Sequence, residues 1–425
     1  MTGVPLTVLD LVPIPAGATA AAALRASIEL ARRAEEFGYA RYWVAEHHLN
    51  PGVAGTSPAV VLALVAGATA RIRVGSGAVQ LGHRTALATV EEFGLLDALH
   101  PGRLDLGLGR SGGAPPARPP ADPAAPGPGP APATNPAATA SAAGSTSTES
   151  DATAGPAAAV DPGPATGAGA GAAAGGLVIP ARFSFAALLD SPRFAVQKLL
   201  LNPPGAVPAD YTAQVGDILA LLAGTYRSPA GTPAHAVPGE GADVQVWILG
   251  SSAGESAAVA GGNGLRFAAN HHVSPATVLE AVGGYRAAFR PGAVDRPYVS
   301  VSADVVVADT AAAARRAAAG YGLWVRSIRT AAGAIPFPPP AAAAAHEWTE
   351  EDRRLVADRL ATQFVGTAAG VADRLDGLRA ATGADELIVT TITHDPADRI
   401  RSYELLAHEW ERRHPGSLHP AGSRG

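Results

Sequence analysis

Short apolar runs alternate with longer stretches of helical period along the first 110 residues. Leu6-Thr-Val-Leu-Asp-Leu-Val reads as a strand, stopped by Pro13 and Pro15. From Ala20 to Gly38, Leu24, Ile28, Ala31, Ala34 and Phe37 recur on one face and charged residues fill the other, which predicts a helix capped by Gly38. Tyr42 to Ala45 is a second strand. Thr56-Ser57-Pro58 opens a second helix, with hydroxyls to cap it and proline at an early position. Ile72 to Leu81 is a third strand, Thr85 to Leu99 a third helix, and Arg103 to Gly109 a fourth strand.

The alternation then stops. Residues 114–176 are almost all Ala, Gly, Pro, Ser and Thr, with no aromatic side chain. Such a segment buries too little apolar surface to offset its ordering entropy, so it is expected to be a disordered insertion. Order resumes near Leu177. Helices are expected over Arg182–Leu201 and Tyr211–Ala223. Strands follow at Val244–Gly250, Gly264–Ala269, Tyr298–Val307 and Glu386–Thr393, with helices opened by Ser251-Ser252 and Ser274-Pro275 and further helices over Thr310–Ser327, Ala368–Ala381 and Asp398–Arg412. Eight strands with intervening helices match a (β/α)8 TIM barrel. A dinucleotide-binding sheet fits less well, because no G-x-G-x-x-G follows the first strand. The expected organisation is a first half-barrel at 1–113, the insertion at 114–176, a second half-barrel at 177–415 and a flexible tail at 416–425.

Composition narrows the function classes. The 425-residue chain carries a net charge of −5 and no cysteine. Without a basic field, nucleic acid and anionic membranes are not expected partners. The missing cysteines remove disulfides, thiolate metal sites and Cys nucleophiles. No charged-then-apolar leader and no long apolar span is visible, so the expected location is cytoplasmic.

The polar residues at strand ends are the candidate chemistry, since parallel α/β folds hold ligands there. Strand two runs directly into Glu46-His47-His48. A histidine titrates near neutrality and could donate or accept a proton; it could equally be a core residue with its hydrogen bonds satisfied. Gly75-Ser76-Gly77-Ala78 suggests a backbone that something approaches closely. Ser251 and Ser252 follow Gly250 at a helix start, where free N–H groups can hold an anion or simply be capped. His272 ends the sixth strand. The spacing of Glu46-His47-His48 is not that of a helical H-E-x-x-H metal site, no spacing supports a metal shared with His394-Asp395, and no G-x-S-x-G is present.

Several stretches together resemble the bacterial luciferase-like family of flavin-dependent oxidoreductases: Leu30–Tyr39 into Trp43–His48, Arg71–Ala78, Leu95–Arg110, Gly366–Leu375 and Asp385–Val389. The resemblance implies a (β/α)8 barrel that holds reduced FMN, supplied by a separate flavin reductase, and uses dioxygen to oxidise a small organic substrate. By position it implies that His47 is the histidine beside the flavin, with Glu46 and His48 orienting it. It implies a non-prolyl cis bond at Gly77–Ala78 beneath the flavin ring, with Ser76 alongside. It makes Arg110 the phosphate-binding arginine, with Gly250, Ser251 and Ser252, and puts His272 on the substrate side. It also implies a homodimer through helices beside strands two and three. Two alternatives stay open: hydride transfer with a deazaflavin and no dioxygen, and a non-catalytic flavin-binding protein.

Overall fold

The computed structural model describes residues 3–110, 171–172, 177–202, 205–206 and 209–418. Its frame is a ring of parallel strands: β1 Leu6–Asp10, β2 Arg41–Val44, β3 Arg73–Ser76, β4 Leu104–Gly109, β5 Val244–Gly250, β6 Arg266–Ala269, β7 Val299–Val307 and β8 Glu386–Thr390. They pair in chain order, and β8 returns to β1 with Leu387 opposite Leu6, which closes the barrel. The predicted (β/α)8 fold is the observed one. β1 to β4 come from residues before the insertion and β5 to β8 from residues after it.

The strands bury both faces, which is why they read as continuous apolar runs rather than as alternation. Outward, Val8, Tyr42, Val74, Leu106, Ile248, Phe267, Val301 and Val389 pack into the shell beneath the helices. Inward, Leu9, Trp43, Trp247, Leu249, Ala268 and Ile388 fill the barrel, with Trp43 and Trp247 edge to face at 5.0 Å. The amino-terminal end of the interior is ionic instead. Arg41 donates to Asp105 at 2.8 Å and to Glu386 at 3.1 Å; Arg73 reaches Asp105, and the Tyr298 hydroxyl donates to Glu386 at 2.9 Å. Each buried charge is paired, as burial in low dielectric requires.

Capping chemistry places the first helix as expected. Thr19 accepts from the Ala22 N–H, and Gly38 ends Ala20–Phe37 with φ +88°, a left-handed turn that suits glycine. Elsewhere proline and glycine divide what the period joins. The helix expected over Arg182–Leu201 is two, Ala186–Leu189 and Pro192–Leu201, and that expected over Thr310–Ser327 is Ala311–Ala318 and Tyr321–Arg329. Ser251 and Ser252 do not open a helix: the helix after β5 is Glu255–Gly262, capped by Gly254.

Between β7 and β8 the chain makes an excursion that carries the helices Pro340–Ala345 and Glu350–Thr362 and the short strand Phe364–Gly366. Tyr321, Trp324, Val325, Phe337 and Val356 from this excursion pack on Leu11, Ala45, Val53 and Ile392, all beyond the carboxyl ends of the strands. Main-chain bonds fasten it there, from the Gly52 N–H to the Ala334 carbonyl at 2.7 Å and from the Phe337 N–H to the Ile14 carbonyl at 2.8 Å. The barrel mouth is therefore partly roofed by apolar side chains.

Most of the segment 114–176 lies outside the described residues; within it, Gly171–Ala172 pairs antiparallel with Val178–Ile179. At the carboxyl terminus, Ser417 and Leu418 are buried, and the Ser417 hydroxyl accepts from the Val4 N–H at 2.8 Å. Residues 419–425 of the expected tail lie outside the described residues. Among the described residues no helix is long and apolar enough to cross a membrane.

Candidate active site

β2 delivers Glu46-His47-His48 directly to the barrel mouth, and the three side chains part company there. The Glu46 side chain is fully buried. It accepts from His48 Nε2 at 2.8 Å, His83 Nε2 at 3.1 Å, Arg84 Nε at 3.3 Å and the Gln80 N–H at 2.9 Å. Burial by itself pushes the carboxyl up, but the bonds from His83, Gln80 and His48 and the charge of Arg84 outweigh it and hold Glu46 down to about 2. His48 and His83 meet edge to face at 5.0 Å. Glu46, His48 and His83 bring ligand atoms within 4.8 Å of one another, a spacing that could suit a metal ion. Arg84 stands on the same Glu46 oxygen, however, and its positive charge opposes a second cation there.

His47 is left with different prospects. Its N–H is tied to the Gly55 carbonyl at 2.7 Å, so its backbone is fixed. Its ring Nδ1 is buried and has no hydrogen-bond partner among the described residues. Burial first, then the neighbouring His48, lowers its pKa to about 4 against the pull of Glu46, so the ring is neutral at pH 7. A neutral ring with an unpartnered nitrogen can take up or give a proton to a group placed beside it.

β3 supplies the neighbouring wall. The Gly77–Ala78 bond is cis. A Cβ on Gly77 would lie 2.7 Å from Leu9 Cδ1 and 3.3 Å from the Trp43 ring, so glycine here lets the turn lie against the barrel interior without displacing Leu9. Ser76 gives no free side-chain donor: its hydroxyl donates to the Gly107 carbonyl and accepts from the Gly107 N–H, both at 2.9 Å. Any role for Ser76 in holding a ligand thus falls to its main chain.

At the ends of β4 and β5, Arg110 and Glu255 form an exposed ion pair at 2.9 Å. Glu255 begins the helix Glu255–Gly262, and Ser251 and Ser252, both exposed, precede it in the loop. Arg110 thus stands beside the first residue of this helix, with an internal carboxylate as its partner. Gly250 is held close to Phe267, where a Cβ would come within 2.8 Å.

Across the mouth, His272 shares a 2.5 Å hydrogen bond with the Ser302 hydroxyl. Burial, then Arg359 and His47, lowers its pKa to about 3. Two residues beyond Ser302 on β7, Asp304 accepts from Tyr321 and from Arg359, the latter at 3.1 Å. Burial holds the Asp304 carboxyl above its ordinary range despite Arg359. His394 bonds instead to the Ala16 carbonyl at 3.2 Å and joins no cluster with His47 or His48.

The sequence reading missed His83, Arg84 and Gln80, which clamp Glu46, and the Asp304–Tyr321–Arg359 group. A His-Arg pair just past a strand end was the available signal for the first. The second is brought together by the β7–β8 excursion and has no local signature.

The model of the family described as luciferase-like monooxygenase matches residues 4–127 and 218–386. The chain belongs to this family. Its activity class is therefore that of a flavin-dependent oxidoreductase. The uncharacterized protein YvbT of Bacillus subtilis (strain 168) is 32% identical over 413 residues, covering 96% of this chain and 97% of that protein. N-acetyl-S-alkylcysteine monooxygenase of the same organism is 48% identical over 108 residues, covering 25% of this chain and 32% of that one. The crystal structure of apo-MsnO8 superposes with a TM-score of 0.70 at 28% identity, covering 98% of this chain and 100% of that chain.

Proposed function

We propose that this protein is the oxygenase of a two-component system, taking reduced FMN from a separate reductase and oxidising a small organic substrate with dioxygen. The observation that carries the reading is the unpartnered, buried Nδ1 of His47, at the end of β2 beside the Gly77–Ala78 turn. The residues fit a flavin: a glycine-lined wall for a flat ring, a neutral histidine at its edge, and an arginine with a helix start for its phosphate. When bound, reduced FMN supplies the electrons that activate dioxygen. His47 then holds or moves a proton at Nδ1. Glu46 keeps His48, His83 and Arg84 in place and so fixes the loop that carries His47. Arg110, now paired with Glu255, would hold the phosphate, and Ser251 and Ser252 would offer hydroxyls to it. Trp324 and Phe337 exclude water from the mouth. His272, with Ser302, faces the substrate.

The local likeness to N-acetyl-S-alkylcysteine monooxygenase makes a thioether the substrate class to assay first. Exposed Val60 and Leu64 on the helix Pro58–Ala68, and Leu87, Leu95 and Leu99 on the adjacent helix Ala86–Leu99, support a homodimer through this face.

Spectral titration with FMN and with a deazaflavin, followed by oxygen uptake with reduced FMN and a reductase, tests the reading. FMN binding with substrate-dependent oxygen uptake is expected. Hydride exchange with the deazaflavin and no oxygen uptake would overturn it, as would tight flavin binding without any turnover.

A further inference from the structure

The turn just past β6 carries two adjacent histidines with different surroundings. Along this strand Phe267 and Ala269 point outward into the shell, while Ala268 points into the barrel. His272 meets the Ser302 hydroxyl. His271 lies 6.0 Å from the Phe364 ring and is fully buried, yet neither of its ring nitrogens has a hydrogen-bond partner among the described residues. A buried polar pair left unmatched is costly, so a histidine in an apolar layer calls for an occupant that bonds to it.

The space for one is present. His271 lines a cleft of about 180 Å³, with Leu177 and Val178 on one side and Phe364, Arg374 and Leu378 on the other. That is smaller than the roughly 300–1,000 Å³ of pockets for drug-sized ligands. Arg374 lies with its guanidinium 4.2 Å from the Phe364 ring centre and makes only a long 3.5 Å contact with the Ala361 carbonyl. Among the described residues no carboxylate pairs with it. The cleft's own acid, Asp373, is already taken by Arg413. Behind His271, Asp304 is matched by Arg359. The uncompensated charge around the cleft is therefore the positive one of Arg374.

We propose that this cleft, outside the barrel mouth, is a binding site for a small free oxyanion such as a sulfate, phosphate or carboxylate, with His271 as the buried hydrogen-bond donor and Arg374 as the counter-charge. Bound there, the anion would tie Leu177 and Val178 to the helix Ala368–Thr382, which the cleft separates. The groups facing His271 are His272, Asp304, Arg359 and Arg374. Burial, then His272, lowers its pKa to about 4 against the pull of Asp304, with Arg359 and Arg374 adding to the lowering. An anion would raise it and draw a proton onto the ring, so uptake of the anion and of the proton are coupled.

Calorimetric titration of the full chain with sulfate, which does not titrate near neutrality, tests this. Arg374→Ala and His271→Leu are expected to lose one sulfate equivalent, or to bind it at least about tenfold more weakly, with FMN affinity unchanged. Wild-type affinity should rise as the pH falls from 7 to 5, because the anion raises the pKa of His271 and its binding takes up a proton. His271→Gln keeps a donor and should lose that pH dependence. Sulfate binding identical in wild type, Arg374→Ala and His271→Gln would mean that water alone fills the cleft and would overturn the proposal. So would a parallel loss of FMN affinity, which would assign these residues to the mouth.

Discussion

Glu46 accepts a hydrogen bond from His48 at 2.8 Å, two residues along the same loop, while His47 between them keeps its Nδ1 unpartnered. These residues lie in the loop past β2, where one histidine is tied to the carboxylate and the other is left without a partner.

Replacing His47 by alanine is expected to lower the oxidation rate by about 10²–10⁴-fold, the usual contribution of a positioned acid or base. FMN affinity should change little, because no phosphate contact is lost. His48→Ala should act less severely, since it removes only one of the bonds to Glu46. Steady-state rates beside an FMN titration check both; equal effects of the two changes would remove the distinction between them.

Glu46→Gln keeps the shape of the side chain and removes the charge shared by His48, His83 and Arg84. Breaking a buried pair typically costs about 3–5 kcal/mol, and here the cost falls on the loop that carries His47. A lower denaturation midpoint in urea is expected, together with reduced turnover.

Arg110 and Glu255 carry a prediction with opposite signs. Arg110→Ala should weaken FMN binding by about 10–100-fold, in line with the roughly 1.5–3 kcal/mol of a hydrogen bond to a charged group. Glu255→Gln frees Arg110 and removes a negative charge from the helix start, so it should tighten FMN binding. Riboflavin, which lacks the phosphate, should respond to neither change.

Acidification should destabilise the protein between about pH 6.5 and pH 4. His47 and His271 are held near 4 and His272 near 3, each below the usual histidine value because of burial. In this window the unfolded chain binds protons that the folded one refuses, so stability falls as pH falls, by up to about 1.4 kcal/mol per pH unit for each histidine. Glu46, held at about 2, adds a loss below its ordinary 4.5. Asp304, held above its ordinary range, works in the opposite sense at the acid end. Thermal unfolding across this range checks the slope, and His271→Phe should flatten it.

The helix Ala86–Leu99 is apolar on both faces: Val90, Phe93 and Leu96 are buried, while Leu95 is 60% and Leu99 79% exposed. Leu95→Asp with Leu99→Asp is expected to convert a dimer to a monomer in sedimentation analysis without lowering thermal stability.

The sequence by itself determined the ring of strands and the first half of the mouth. β1 to β4 are bounded by proline, glycine and helix caps within a few residues, and their ends carry Glu46, His47, Gly77 and Arg110 in local, readable patterns. The direction of each side chain was not readable, because it depends on the closed register: Ser76 turns to Gly107, and His271 and His272 meet different surroundings. Tertiary structure alone decided the rest. Arg41 meets Glu386 across 345 positions of chain, and Asp304 meets Arg359 only because the β7–β8 excursion folds back over the mouth. Pairings of that kind rest on burial and charge compensation between distant segments, which no local period encodes.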